Sequence, residues 1–283
     1  MTKAHQGSWE DAVRWLREQP GREEIVRDAY YDDPLIEAAE RYWRSNEWMA
    51  VRAIIGTGPG EALDSGAGRG IASYALARDG FAVTALEPDP SDLVGAGAIR
   101  SLAREAGLAI HVEERVSERL PFGDHSFDVI FARAVLHHIA DLPAAMREFY
   151  RVLRPGGVFV AAREHVITDP SDLPTFFDSH PLHHRYGGEN AHQLHVYEDA
   201  IHQSGLILDR TIGSLDSPIN YGPQSTAEVN RRIAAQVVPL AQLRQVAAAA
   251  LGLPGVGALV RRAASKIDRR PGRHASFVVR KPK

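Results

Sequence analysis

The chain has no cysteine. This excludes a disulfide framework, thiolate catalysis and any zinc site built on sulfur. It also lacks a long apolar run. Its most apolar segment, residues 246–260, is broken by Gly252, Pro254 and Gly255 and is too short to span a bilayer. Residues 1–11 are polar, without the apolar stretch of a secretion signal. Neither charge sign dominates, and a formal net charge of −3 gives no overall field favouring nucleic acid or an anionic membrane. A basic run does occur near the C-terminal end (Arg261, Arg262, Lys266, Arg269, Arg270, Arg273), but no aromatic residues interleave it as stacking platforms would require. Nucleic acid and membrane are therefore not expected partners. What remains is a soluble, cytoplasmic globular protein of 283 residues, 44% hydrophobic and 24% charged, long enough to bury a proper core.

What is present is organised around residues 61–71, Glu-Ala-Leu-Asp-Ser-Gly-Ala-Gly-Arg-Gly-Ile. A short apolar segment runs through Gly66, Gly68 and Gly70 into a periodic Ile71, Ala72, Tyr74, Ala75, Leu76 pattern, which reads as strand, loop and helix. Glycines let backbone approach a ligand, and the N–H groups of the helix's first turn point at it. The next apolar run, residues 81–86, ends in Glu87, about twenty residues after the first glycine, where a carboxylate can hold a ribose diol. This is a nucleoside-binding βαβ unit. A dinucleotide loop would end in a small residue where Ile71 stands, and a P-loop would end in Gly-Lys-Ser/Thr. Asp64, just before the first glycine, would repel a pyrophosphate but suits a ligand carrying an ammonium and a sulfonium.

Further strands are expected at residues 108–112 and 158–162, with another between them that is approached through the turn-rich residues 120–131 and ends at Ala132-Arg133, alternating with helices at residues 91–105 and from Asp141, as in a doubly wound parallel sheet. Before the glycine loop the chain reads as helices: Ser8 caps one, Pro34 starts a second and Ser45 caps a third. These helices either pack on the sheet edge, or Tyr42, Trp43 and Arg44 close over the ligand with Arg44 pairing a carboxylate.

Together the segments Leu63-Asp64-Ser65-Gly66-Ala67-Gly68-Arg69-Gly70, Glu87, Leu120-Pro121-Phe122 before Ser126-Phe127-Asp128-Val129, Leu136-His137-His138 and Val152-Leu153-Arg154-Pro155-Gly156-Gly157 resemble a class I S-adenosylmethionine-dependent methyltransferase over roughly residues 61–163. The resemblance implies a seven-stranded, mostly parallel sheet whose last strand (residues 275–280) is antiparallel beside the fifth. It implies S-adenosyl-L-methionine as cofactor, its methionine end on Asp64, Gly66, Gly68 and Gly70, its ribose on Glu87 with Pro88 next in the chain, and its adenine along residues 115–118, Val116 and Ser117 among them. Arg133 and Leu136 would border the sulfonium. Two departures stand out: Ser65 where an apolar residue is usual, and Val116 where an Asp often meets the adenine amine.

Seven of the 13 histidines fall between His165 and His202. The polar, turn-rich stretch at residues 178–191 lies beyond the fifth strand, whose C-terminal end borders the ligand crevice of an open α/β sheet. It reads as a substrate lid or as a polar surface loop. As a lid it would offer His183, His184, Tyr186, Glu189 and Asn190 to an acceptor, with His138 alongside. A divalent metal could sit among its His and Glu residues, although their spacing matches no ligand motif. His137 and His165 are the candidate general bases for a hydroxyl acceptor, and Glu164 would orient the base or bind substrate. The His137–His138 pair could instead only shape the cofactor pocket.

The expected organisation is an N-terminal helical cap (1–56), a core (57–213 and 274–283) with a lid at 164–203, and a helical insertion (214–273) that could serve as a cap or in a homodimer. The expected activity is O-methylation of a polar small molecule such as a sugar. The alternatives are an NAD-dependent oxidoreductase, opposed by Ile71 and Asp64, and a catalytically silent cofactor-binding module.

Overall fold

The computed structural model describes residues 7–186, 189–253 and 255–283. Its sheet is formed by β1 (Glu61–Ser65), β2 (Ala82–Leu86), β3 (Ile110–Glu113), β4 (Phe127–Arg133), β5 (Leu153–Ile167), β6 (His192–Gln193), β7 (Ile207–Ile212) and β8 (Arg273–Arg280). The order is β3-β2-β1-β4-β5-β8-β7, with the two-residue β6 pairing the far end of β5. β8 lies antiparallel between β5 and β7, and the pairs from β3 to β5 are parallel. This is the expected doubly wound sheet with one short strand added.

Helices α1 (Trp9–Glu18), α2 (Glu23–Asp28), α3 (Leu35–Trp43) and α4 (Asn46–Ile55) precede the sheet. α5 (Ile71–Arg78), α6 (Ala96–Ala106) and α7 (Leu142–Val152) alternate with its strands, and α8 (Leu173–Asp178) and α9 (Leu194–Gln203) come after β5. α10 (Pro218–Tyr221), α11 (Thr226–Val237), α12 (Ala241–Ala250) and α13 (Val256–Ile267) lie between β7 and β8. The helix starts obey local chemistry. Ser8 and Asp11 form a capping box, Ser45 accepts from Trp48 N at 3.0 Å, and Asp141 accepts from Ala144 N at 2.9 Å.

Side chains alternate across the strands, so one face packs Ala62, Val83, Val129, Phe131 and Val160 against Tyr42, Trp48 and Leu76. The other packs Leu63, Leu86, Ile130, Phe159 and Phe277 against Met146, Phe149, Tyr197 and Ile201. The cap helices α3 and α4 therefore cover a sheet face instead of its edge. α1 does something different. It joins Leu182 and Val94 in a small separate core, so the N-terminal helix and the segment around Leu182 are packed together. The insertion is less well covered: α12 buries no side chain, and Leu243, Val246, Leu259 and Ile267 are exposed. Among the described residues no helix is long and apolar enough to cross a membrane.

The sequence places a lid from residue 164 onward, and here the fold differs. β5 runs on to Ile167, past an irregularity in its pairing with β8 between Ala161 and Glu164. Arg163 sits in that bulge at φ 60°, its N–H bonded to Ser276 Oγ at 3.0 Å. A bulge bends the strand and re-aims the residues beyond it. Glu164 and His165 are thus rigid strand residues, and the cover begins only after them.

Candidate functional site

The glycine loop lies at the C-terminal end of β1. Gly66, Gly68 and Gly70 take φ values of 68°, 53° and 84°, a region costly for residues with a Cβ. Gly66 N and Ala67 N donate to Leu86 O at 2.8 and 3.0 Å, which ties the loop to β2. A Cβ on Gly66 would stand 2.6 Å from Val135 Cγ2, whereas one on Gly68 would meet nothing closer than Val94 O at 4.0 Å. Gly68 therefore opens onto free space, and its N–H donates to Glu87 Oε2 at 2.7 Å. Asp89 N donates to the other Glu87 oxygen at 3.0 Å. Burial pushes the Glu87 carboxyl up to about 7 against those two bonds. Asp64 is buried beneath the loop and accepts from Ser73 Oγ at 2.6 Å; burial raises it to about 6. Two carboxylates under so little solvent are poised for a ligand that brings a positive charge and hydroxyl donors. The open cradle at Gly68 and this donor set fit S-adenosylmethionine.

The unusual Ser65 has a partner that explains it, because its Oγ lies 2.8 Å from the buried Ser117 Oγ. Val116 next to it is exposed, as is Pro88 beyond Glu87. Leu136 is fully buried in a core cluster with Leu63 and Leu86, in the 3₁₀ turn Leu136–His138. One expectation needs correction here. Arg44 does not close over the crevice; it pairs with Glu40 of its own helix at 2.6 Å and its side chain is 71% exposed. Trp43 is drawn to Asp79, past the C-terminal end of α5 and away from its glycine-loop end. Arg133, expected to border the sulfonium, has its guanidinium held by Glu47 at 2.6 and 3.1 Å, over the rings of Tyr30 and Tyr42.

Two residues that sequence reasoning passed over hold the cap onto the site. Buried Arg69, inside the glycine loop, donates to Tyr30 O and Asp32 O at 3.0 Å and to Asp33 at 2.6 Å. Buried Glu47 accepts from both Arg133 and Arg163. The available signal was an arginine among loop glycines and an acid in the apolar helix α4.

Beside the loop, His137 Nδ1 lies 2.7 Å from Glu164 Oε2. Glu164 also accepts from Val135 N at 3.1 Å and His137 N at 3.2 Å. The bulge in β5 is what brings this fully buried acid to the 3₁₀ turn. Burial pushes Glu164 up to about 7 against these N–H donors, and burial together with neighbouring His138 holds His137 well below the ordinary imidazole range. His165 stacks edge-on to His137 at 4.7 Å and its Nδ1 meets Gly272 O at 3.2 Å.

The cover contributes unevenly. His138 lies 4.1 Å from His137 and 5.8 Å from Tyr186 between ring centroids, and Tyr186 packs on Trp9 of α1 at 5.0 Å. His183 is buried 5.7 Å from His165, bonded through Nδ1 to Phe176 O at 2.9 Å. Glu189 brings Oε1 to 3.6 Å from His137 Nε2. Asn190 turns its Oδ1 back to Ala191 N. His184 is a correction: it is exposed and pairs with Asp178 at 2.8 Å, outside the cluster. A cavity of about 520 Å³ lies beyond His274, whose ring is 5.1 Å from His165; Arg163, Arg232, Arg270 and Arg273 line it, with Glu24 and Asp28.

Residues 63–161 match a family model described as a methyltransferase domain. The chain is 39% identical over 100 residues to a ubiquinone biosynthesis O-methyltransferase of Methylobacterium nodulans, covering 35% of this chain and 39% of that protein. It is 36% identical over 122 residues to a demethylmenaquinone methyltransferase of Mycolicibacterium paratuberculosis, covering 43% and 47%. The chain thus spans less than half the length of these curated relatives, and neither name mentions a sugar. In structure it resembles the geranyl diphosphate C-methyltransferase of Streptomyces coelicolor A3(2), solved with Mg2+, geranyl diphosphate and S-adenosyl-L-homocysteine. The TM-score is 0.57 at 15% identity, over 96% of this chain and 97% of that one, a likeness of fold.

Proposed function

From the premise that residues 63–161 are a class I S-adenosylmethionine-dependent methyltransferase domain, we propose that this protein transfers a methyl group to a hydroxyl oxygen of a polar small molecule, activated at the His137–Glu164–His165 cluster. When bound, the cofactor supplies an electrophilic methyl group on a positively charged sulfur. Asp64 and the open backbone at Gly68 would receive the methionine end, and Glu87 would accept from the ribose hydroxyls. His137, neutral and buried, is oriented by Glu164 and accepts the hydroxyl proton, so that the products are a methyl ether and S-adenosylhomocysteine. The observation that carries this reading is the 2.7 Å contact of His137 with Glu164, two residues beyond Val135, whose N–H donates to the same carboxylate at 3.1 Å beside the glycine loop. The charged lining of the neighbouring cavity supports a polar acceptor.

The test is calorimetry of the full chain with S-adenosylhomocysteine and with NAD, then a screen of hydroxylated acceptors read by mass spectrometry. Binding of S-adenosylhomocysteine alone, with acceptors gaining one CH2, is expected. Failure to bind it would overturn the proposal. Binding with no product from any acceptor would reduce the protein to a cofactor-binding module.

A further inference from the structure

The imidazole cluster has a property that a simple base does not need. One donor atom from each of His137, His165 and Glu189 lies within 4.8 Å of the others. Both histidines are held from behind through Nδ1, His137 by Glu164 at 2.7 Å and His165 by the Gly272 carbonyl at 3.2 Å. Those two partners are acceptors, so each Nδ1 carries the proton and each Nε2 presents a lone pair to the cluster. A carboxylate or carbonyl behind the ring is the support that metal-ligating histidines commonly have.

The third group is unsatisfied. Glu189 Oε1 is buried with no hydrogen-bond partner, on a side chain only 5% exposed. His137 Nε2, 3.6 Å away, cannot serve it, because the separation is too long for a hydrogen bond. Three acceptor atoms thus converge out of water with nothing positive among them. Such an arrangement is costly unless a cation completes it.

We propose that His137 Nε2, His165 Nε2 and Glu189 bind a divalent transition-metal cation, leaving one position for the acceptor hydroxyl. Two imidazoles and one carboxylate with an open position form a donor set suited to zinc-type or iron-type cations, and not to magnesium. Donors about 2.1 Å from such an ion stand roughly 3.4 Å apart. The His137–Glu189 separation already meets this, and the widest separation in the cluster closes by about an ångström or somewhat more. The inference rests on the reading of this cluster as the acceptor site and alters what the cluster does there. Coordination lowers the hydroxyl pKa and releases its proton to solvent; the oxygen then forms its bond to the methyl carbon as the carbon–sulfur bond breaks, and the ether dissociates.

The test uses the full chain after chelation, titrated with Co2+ as a spectroscopic probe, with Zn2+ in competition and Mg2+ as a control. One equivalent of Co2+ displaced by Zn2+ and not by Mg2+ is expected. His165→Ala and Glu189→Gln each weaken binding by more than about tenfold, and Glu164→Gln, which only positions His137, by about 10- to 100-fold. His111→Ala, an exposed position on the edge strand β3, leaves it unchanged. S-adenosylhomocysteine affinity is measured on every variant; its retention shows an intact fold and separates this test from that of methyl transfer itself. Absence of stoichiometric Co2+ binding, or binding indifferent to His165→Ala and Glu189→Gln, overturns the site. Turnover unchanged by removal of a bound metal overturns its role toward the acceptor.

Discussion

The two sides of the crevice are built in opposite ways. On the β1–β2 side, functional contacts join residues close in sequence: Asp64 to Ser73 nine apart, Gly68 to Glu87 nineteen apart. On the β5 side they join residues far apart: His137 to Glu164 by 27, His165 to Gly272 by 107, Arg163 to Ser276 by 113. The first side is a grip made by backbone geometry that a short motif encodes. The second is a cluster assembled by a bulge, a 3₁₀ turn and a cover packed on α1. The comparison teaches that binding the cofactor and activating the acceptor are separable properties here, and each can be broken alone.

The largest effect is expected on the β5 side. His137→Ala and Glu164→Gln should lower turnover by about 10²- to 10⁴-fold, the span of acid–base assistance, while S-adenosylhomocysteine affinity stays put. Initial rates beside calorimetry decide it, and affinity falling in step with rate would erase the distinction. On the β1–β2 side, Asp64→Ala and Glu87→Ala should each weaken cofactor binding by about 1–3 kcal/mol, the cost of losing a buried charged partner. Calorimetry showing unchanged affinity in both would remove that assignment.

A smaller, graded effect comes from pH. Ligand binding favours the ionised forms of Asp64 and Glu87, which burial raises to about 6 and about 7. Affinity should be full above about pH 8 and fall as pH drops through 7, by about tenfold per unit for each group that must lose a proton. A flat profile of S-adenosylhomocysteine binding down to about pH 5.5 would contradict it. The smallest effect is expected at Arg44, whose exposed side chain pairs with Glu40. Arg44→Ala should change melting and cofactor affinity by less than about 0.5 kcal/mol, and a larger loss of affinity would restore it to the crevice.

Much of the fold is legible in the amino-acid order. Ser8, Ser45 and Asp141 mark helix starts because capping is local chemistry, and α1 begins where Ser8 places it. The grip of Gly66, Gly68, Gly70 and Glu87 is legible for the same reason. Arg44 and His184 were misplaced because a charged side chain in a motif-like position also has a solvent-facing choice, and each found a carboxylate on its own segment. Arg69 and Glu47 escaped notice because a buried charge is recognised by its partners, and those lie 36 to 116 residues away.

The amino-acid sequence by itself determined the alternation of elements, the caps, the glycine loop and the acid at the end of β2, because periodicity, capping and positive φ act within a few residues. Only the tertiary structure decided that β5 bulges at Arg163, that Glu164 therefore reaches His137, and that Glu189 closes on the same imidazoles while His184 does not. Those contacts depend on β8 pairing beside β5 and on α1 packing against the cover, and no local propensity specifies either.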